Sequence, residues 1–546
     1  MSSQLAQCRP DISFPFNRES RTQQFVYFVI TVLGFSFWFF MVVPFASHRE
    51  SYEWLAWVHS YSFAHAFSFI SKSYRPLAQA TTWLGFQILD PGVFPTSILR
   101  QTLLQGFVYG MFVVAWWFIY TAATERRLFA IMALLCGCVF FPGYVQLFHI
   151  YGIFYVPVML TLGAVLHLTA AQAGGKREMW WGGIAILLLL WHPFATALFL
   201  GFYCGFYFDT FRQRTRAQHL RAIAILLVVA MMVAVMAAPV RPTEKMSITS
   251  RLFGFLVSYR TNEVNRIASV VAFLLTQIAV FSMPLESKPK LAVCLIATAL
   301  SIVFFLEGLP LLLLWFCVVL IKLILSRCWR LFFLMLAAAL LPFGGGIGTP
   351  IYGLFAIIVA AYVTAMGWAE AEKTLSVVKT RYALGIIIVS ALVILLIRAG
   401  IRVPVVTTVA SPLLTERERT YQLESVLAWL HTSEYCGYDL TFIDNAGNPI
   451  DSVESAIRRQ NRPPAGLKEV HFFWNTVLRC REGQHSNNKD ETAIVTFGGP
   501  VVANSRPVFE VRGRYAGNAT VWISDPRKGP NSSGMPAASL STGAVF

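Results

Sequence analysis

"FVYFVITVLGFSFWFFMVVPFA", Phe25–Ala46, runs for 22 residues without a charge. About 20 such residues are what an α-helix needs to cross the hydrocarbon core of a bilayer. The segment before it, Met1–Gln24, is polar and carries Arg9, Arg18 and Arg21. A cleavable signal has a shorter apolar core and a small-residue cleavage site, so this run reads as a retained anchor.

The rest of the chain repeats the pattern. Hydrophobic residues make up 56% of the sequence and charged residues 13%, against roughly 25% charged in ordinary soluble domains. The composition excludes a conventional soluble fold. The net charge of +16 suggests nucleic acid until the basic residues are placed. Many stand in short clusters between apolar runs, where they report topology instead.

Dividing the apolar runs at charged or Pro/Gly-rich breaks gives about thirteen spans. They lie near 25–46, 99–122, 128–142, 151–172, 179–192, 194–211, 220–238, 267–285, 290–306, 309–325, 331–343, 350–369 and 382–400. Alternate connections carry "TERR", "GGKRE", "RQRTRAQHLR", "ESKPK", "SRCWR" and "EKTLSVVKTR". With those on the inside, the N-terminal segment 1–24 is cytoplasmic and everything after Ile401 is outside. The expected fold is an all-α polytopic membrane protein, 25–400, followed by a small α/β extracytoplasmic domain, 401–527. "TYQLESVLAWLHTSEY" has helical spacing, and "DLTFIDNAG", "TAIVTFGG", "PVFEVRGRY" and "ATVWISD" read as strands ended by turn residues. The Gly-, Ser- and Pro-rich tail 528–546 is expected to be disordered.

The outer loops hold the candidate chemistry. The first, 47–98, opens with "ASHRESYEW", which sets Glu50 and Glu53 at the membrane edge. Trp54, Trp57, Val58, Tyr61 and His65 follow at the steps of an amphipathic surface helix. Three positions apart on a helix, Glu50 and Glu53 share a face, so one can serve as a base while the other positions a group or a cation. The alternative is a solvated helix start with acids near the positive end of its dipole. The same loop ends in "SYRPLAQATTWLGFQILD", residues 73–90.

A carboxylate at the start of the first outer loop, a surface helix, and Arg-Pro-Leu before the second span resemble the polytopic GT-C glycosyltransferase superfamily. That resemblance implies an inverting enzyme that takes a sugar from a polyprenyl-phosphate donor. The acceptor would be a glycan, lipid or protein of the cell envelope, as in polysaccharide biosynthesis, at a bacterial plasma membrane. It implies Glu50 or Glu53 as the base, although many relatives carry Asp-Asp or Asp-Glu there. Some relatives bind a divalent cation through acids, but no such site is identified here. Arg75 would hold the departing phosphate, because guanidinium binds phosphate oxygens bidentately; the alternative is an arginine snorkelling to headgroups.

Further candidates lie in other outer segments. Arg241, Arg251 and Arg260 belong to a basic loop, 239–266, that departs from the charge bias. Either a substrate anion or anionic lipid would account for it. "QLFHIYGIFY" places His149 and Tyr151, and "LLWHPFA" places His192, at outer helix ends, where a histidine can exchange protons, bind substrate or simply fill a helix end. The histidines lack zinc-ligand spacing. "FGGGIGTP" lacks the Lys-Ser/Thr ending of a P-loop. Cys436 and Cys480 share the outer domain, where oxidising conditions would allow a disulfide. Two other classes stay open: a polysaccharide ligase, polymerase or acyltransferase relying on His149 or His192, and a non-enzymatic transporter or assembly scaffold. A transporter should show broken helices and polar residues at mid-membrane, and most polar groups in the sequence cluster at the outer ends instead.

Overall fold

The computed structural model describes residues 20–42, 75–89, 98–139, 141–148, 152–169, 175–237, 265–303, 308–345, 350–367, 439–443, 492–498, 505–515 and 517–524, with isolated positions at 249–255 and 418–435. The apolar run 382–400, most of the loop 47–98, the segment 1–19 and the tail 528–546 lie outside the described residues. The chain divides into two compact units, one chiefly 98–417 with 1–45 and 60–91, the other chiefly 418–546.

The first unit is helical. Its helices are α1 (Arg21–Val42), α2 (Pro76–Leu89), α3 (Ile98–Ala122), α4 (Arg126–Val139), α5 (Phe141–Phe148), α6 (Gly152–Leu168), α7 (Lys176–Leu188), α8 (Pro193–Thr210), α9 (Arg216–Ala237), α10 (Asn265–Phe281), α11 (Ser287–Val303), α12 (Gly308–Leu325), α13 (Trp329–Gly345) and α14 (Pro350–Met366). Among the described residues, two helical stretches are long and apolar enough to cross a membrane by length and composition, Arg21–Phe40 and Thr102–Ala122.

Capping sets where several helices begin. Ser20 and Gln23 exchange side-chain and backbone bonds of 2.9 and 3.2 Å, and Thr215 and Gln218 do the same ahead of α9. Each is a reciprocal capping box that satisfies two donors a helix start would otherwise leave bare. At the end of α12, Arg327 takes the left-handed conformation (φ 54°). Its N–H reaches Ile324 O at 3.0 Å and Cys328 N–H reaches Leu323 O at 2.9 Å, a Schellman ending in which glycine is the unstrained residue.

Packing centres on α6 and α14, which are buried along nearly their whole length. Phe35, Phe112, Trp116 and Tyr144 form a fully buried aromatic group where α1, α3 and α5 meet. The outward faces are the reverse of a soluble protein's: Leu220, Ile223, Leu227, Val228 and Met231 of α9 and Phe25, Ile30, Leu33, Phe37 and Phe40 of α1 are exposed. Contiguous apolar surface of this kind fits a lipid environment. α8 packs closely against α13. A Cβ built on Gly205 would stand 2.8 Å from Arg330 Cα, and one on Gly201 would stand 2.8 Å from Phe333 O. The Gly-x-x-x-Gly spacing lets two backbones touch where side chains would hold them apart.

The second unit contains a four-stranded sheet in the order β1-β2-β4-β3, from β1 (Asp439–Ile443), β2 (Thr492–Phe497), β3 (Ser505–Val511) and β4 (Ala519–Ser524). β1 and β2 are parallel and the other pairs antiparallel. Pro507 stands on the edge strand beside an irregularity, where its missing N–H is tolerated. The Glu418 carboxylate accepts the N–H groups of Arg514 and Tyr515 at 2.6 and 2.5 Å, and Gln422 donates to Gly517 O at 2.6 Å. These bonds tie the β3–β4 hairpin to the residues around 418–430. Trp429 stacks on Phe509 with ring centroids 4.7 Å apart. Burial raises the Tyr435 phenol above its ordinary range, Glu434 adds to the rise, and Arg506 opposes it.

Two substitutions test the helical contacts. Gly205→Val should destabilise the detergent-solubilised protein by about 1–3 kcal/mol, as overpacking does, whereas Gly106→Ala, which meets open space, should leave the unfolding midpoint unchanged or raise it. Arg327→Gly should stabilise by about 1 kcal/mol by relieving the left-handed strain, measured as the shift in the same midpoint.

Candidate functional site

Two residues singled out in the sequence, Arg75 and His192, come together. Pro76 is the first residue of α2, the position where proline's missing N–H costs nothing, so "RPL" is a helix start with Arg75 immediately before it. His192 precedes α8 in the same way: it is the N-cap, with Pro193 next, and its Nδ1 accepts Phe194 N–H at 3.1 Å. The cap fixes the ring. Because Nδ1 accepts, the proton of the neutral imidazole is on Nε2, and Nε2 is buried with no hydrogen-bond partner among the described residues.

Helix α6 supplies the floor. The Arg75 guanidinium carbon lies 5.5 Å from the Phe154 ring centroid, and the His192 ring is 5.1 Å from that of the adjacent Tyr155. Arg75 is near enough for its charge to act on His192. A proline explains how the turn is held. Pro157 inside α6 has no N–H for the Ile153 carbonyl, and the Trp191 indole donates to that carbonyl at 2.8 Å. Trp191 ends the 3-10 turn Leu189–Trp191, so the carbonyl freed by Pro157 anchors the residue next to His192.

Of the other sequence candidates, the structure describes Arg251. Arg251 is exposed. Glu50, Glu53, His149, Tyr151, Arg241, Arg260, Cys436 and Cys480 lie outside the described residues. Among the described residues, no cluster of three or more His, Cys, Asp or Glu side chains could hold a metal ion.

A second group closes the other end of α8. Arg214 pairs with Glu178 of α7 at 3.6 Å, both nearly inaccessible; Tyr203 OH donates to the same carboxylate at 3.3 Å, and Arg214 Nε donates to Thr210 Oγ1 at 2.8 Å. Arg330 of α13 pairs with Asp209 at 3.2 Å and donates to Thr169 O at 2.8 Å. Phe206 lies between the two guanidiniums, 5.1 Å from Arg214 and 4.5 Å from Arg330. The arrangement neutralises two acids with two bases and binds α7, α8 and α13 together.

A third group runs among α10, α11, α12 and α14. Gln277 donates to Thr298 Oγ1 at 3.1 Å and accepts from Cys294 at 3.0 Å. Lys322 is 5% exposed and donates to Ser282 Oγ at 2.8 Å and Val363 O at 3.4 Å. Lys290, equally buried, donates to Phe281 O at 3.1 Å. Gln277, Cys294 and Thr298 place polar groups inside α10 and α11, beside the expectation that most polar groups cluster at the outer ends, while Lys290 and Lys322 stand in the first turn of α11 and the last turn of α12. "VVLIKLIL" and "LLTQIAV" carried that signal, since an ionisable or amide side chain inside an apolar run is costly unless it has a role.

A family model described as "ABC 3 transport family" matches residues 179–324, from α7 nearly to the end of α12. No curated protein matches, and no solved structure matches. The match overturns the GT-C resemblance and everything drawn from it: the glycosyltransferase activity, the polyprenyl-phosphate sugar donor, the envelope glycan, lipid or protein acceptor, and the role in polysaccharide biosynthesis. The physical reason lies in the string that carried it, because Arg75-Pro76-Leu77 is accounted for as a helix start. Of the readings left open from sequence, a transporter fits the match better.

The Glu178–Arg214 pair yields a stability prediction. Arg214→Met should destabilise by about 3 kcal/mol, because a buried carboxylate loses its charge partner, while Glu178→Gln combined with Arg214→Met should recover most of the loss; a double-mutant cycle of unfolding midpoints measures both.

Proposed function

We propose that the chain is a membrane permease subunit that moves a small polar solute across the bilayer. The observation that carries this reading is the match of residues 179–324 to a transport family. Physical features of the same helices support it. Gln277, Lys290 and Thr298 are buried and bonded between α10 and α11, and buried Lys322 bonds Ser282 and Val363, whereas the outward faces are apolar. In hydrocarbon a polar interior under an apolar surface is what a solute route requires.

The topology belongs to the same proposal. About thirteen spans place the basic connections and the N-terminus in the cytoplasm and the second unit outside a plasma membrane. The buried pairs Glu178–Arg214 and Asp209–Arg330 then stand at the cytoplasmic end of α8. Transport of the ABC type draws on ATP hydrolysis, and this sequence contains no Gly-x-x-x-x-Gly-Lys-Ser/Thr loop. On this reading an ATP-hydrolysing partner supplies the energy.

Removing the chain from its native cell should deplete or accumulate one class of small polar solute, read by whole-cell elemental and anion profiling. Lys322→Met should reproduce that change with the chain still present in the membrane, because it withdraws the ammonium that joins α10, α12 and α14. Unchanged solute content in the deletion would reject the transport reading.

A further inference from the structure

We infer that the corner formed by α2, the Leu189–Trp191 turn and the start of α8 is a binding site for a protonated phosphate group, a phosphate ion or a phosphomonoester. The inference goes beyond the transport reading and holds whether or not the chain moves a solute. Three observations converge. His192 is 2% exposed, its capping bond leaves the ring proton on Nε2, and that donor has no partner among the described residues. Gln79 is 9% exposed, and its Oε1 is a buried acceptor likewise without a partner among the described residues. Gln79 stands one helical turn after Arg75, whose carbonyl accepts its N–H, so the two side chains share a face of α2, about 5–6 Å apart at Cβ.

A ligand that satisfies this corner must bring an acceptor to His192 and a donor to Gln79. Leaving either atom unmet when buried costs the full desolvation of that group. The positive charge of Arg75 and the N-terminal end of the 18-residue helix α8 both favour an acceptor that is negatively charged. Hydrogen phosphate carries both features at neutral pH, an anionic oxygen and a P–OH; a phosphomonoester carries both in its monoanion, the form this site selects. Sulfate has the anionic oxygens but no hydroxyl at that pH, and a phosphodiester lacks the hydroxyl too. Discrimination between phosphate and sulfate is therefore the signature of this site.

Calorimetric titration of the purified full chain in nanodiscs tests it. Inorganic phosphate should bind saturably and at least about tenfold more tightly than sulfate, the worth of one hydrogen bond to a charged partner. His192→Asn keeps an oxygen for the Phe194 N–H cap but withdraws the Nε2 donor, and should weaken phosphate about tenfold or more; Gln79→Met should erase the preference over sulfate. Should the corner be built for a lipid headgroup, free phosphate will bind weakly and nanodiscs doped with phosphatidic acid, a monoester, will retain that lipid on the chain in preference to phosphatidylglycerol, a diester. Both of these results support the inference. Equal affinity for phosphate and sulfate together with no preference for phosphatidic acid over phosphatidylglycerol would overturn it. Ring ¹⁵N spectra of the unmodified protein give a check free of mutation: the His192 Nε2 signal should move on phosphate addition, and an unmoved signal at saturating phosphate counts against the site.

Discussion

A polar side chain inside the helical unit is costly unless it finds a partner, in the protein or in a ligand, because the surface around it is apolar. An unsatisfied amide or hydroxyl in such surroundings costs several kcal/mol, so one unmet group dictates where another is placed. Pro157 illustrates this. Its missing N–H leaves the Ile153 carbonyl unpaired within α6, the Trp191 indole takes that carbonyl at 2.8 Å, and the turn so fixed sets His192 at the start of α8. From there α8 runs against α13 across the Gly201 and Gly205 contacts to the paired charges at its far end. A single helix thus joins an electropositive corner to a neutralised ionic group.

The same constraint explains why a transport reading suits the interior better than catalysis. Lys322, Lys290 and Gln277 are satisfied by groups on neighbouring helices, which makes them joints between helices. Such joints have two-sided energetics: breaking one exposes a charge or an amide to hydrocarbon, so any rearrangement must exchange partners rather than lose them. Phe206 between two guanidiniums is a comparable joint, since the ring can stay in contact with either cation.

Much of the secondary structure was legible in the sequence, and particular residues show why. β1, β2 and β4 fall within stretches read as strands, and β3 starts two residues before its stretch; Gly498, Gly517 and neighbouring turn residues punctuate them, and both glycines adopt positive φ. Helices occupy the apolar runs from Arg21 to Met366, with starts set by Ser20 and Thr215 through local capping. Arg75 and His192 were also visible, as ionisable residues at the ends of apolar runs. Lys322 and Gln277 were passed over because hydropathy averages hide one polar side chain among ten apolar ones. The Gly201 and Gly205 pair carries meaning only once α13 is known to lie against it. The glycosyltransferase resemblance failed for a related reason: Arg-Pro-Leu is what a helix start of ordinary chemistry looks like.

By itself the sequence determined the apolar helices, their caps, the sheet strands and a lipid-compatible exterior, since each depends on bonds among near neighbours or on side-chain composition. Only the tertiary structure decided which polar groups meet. Arg75 and His192 are separated by 117 positions, and Lys322 reaches Ser282 and Val363 across about 40 in either direction. Local patterning carries no information about such meetings, because they are fixed by which helices can approach closely and which buried donors and acceptors remain to be satisfied when they do.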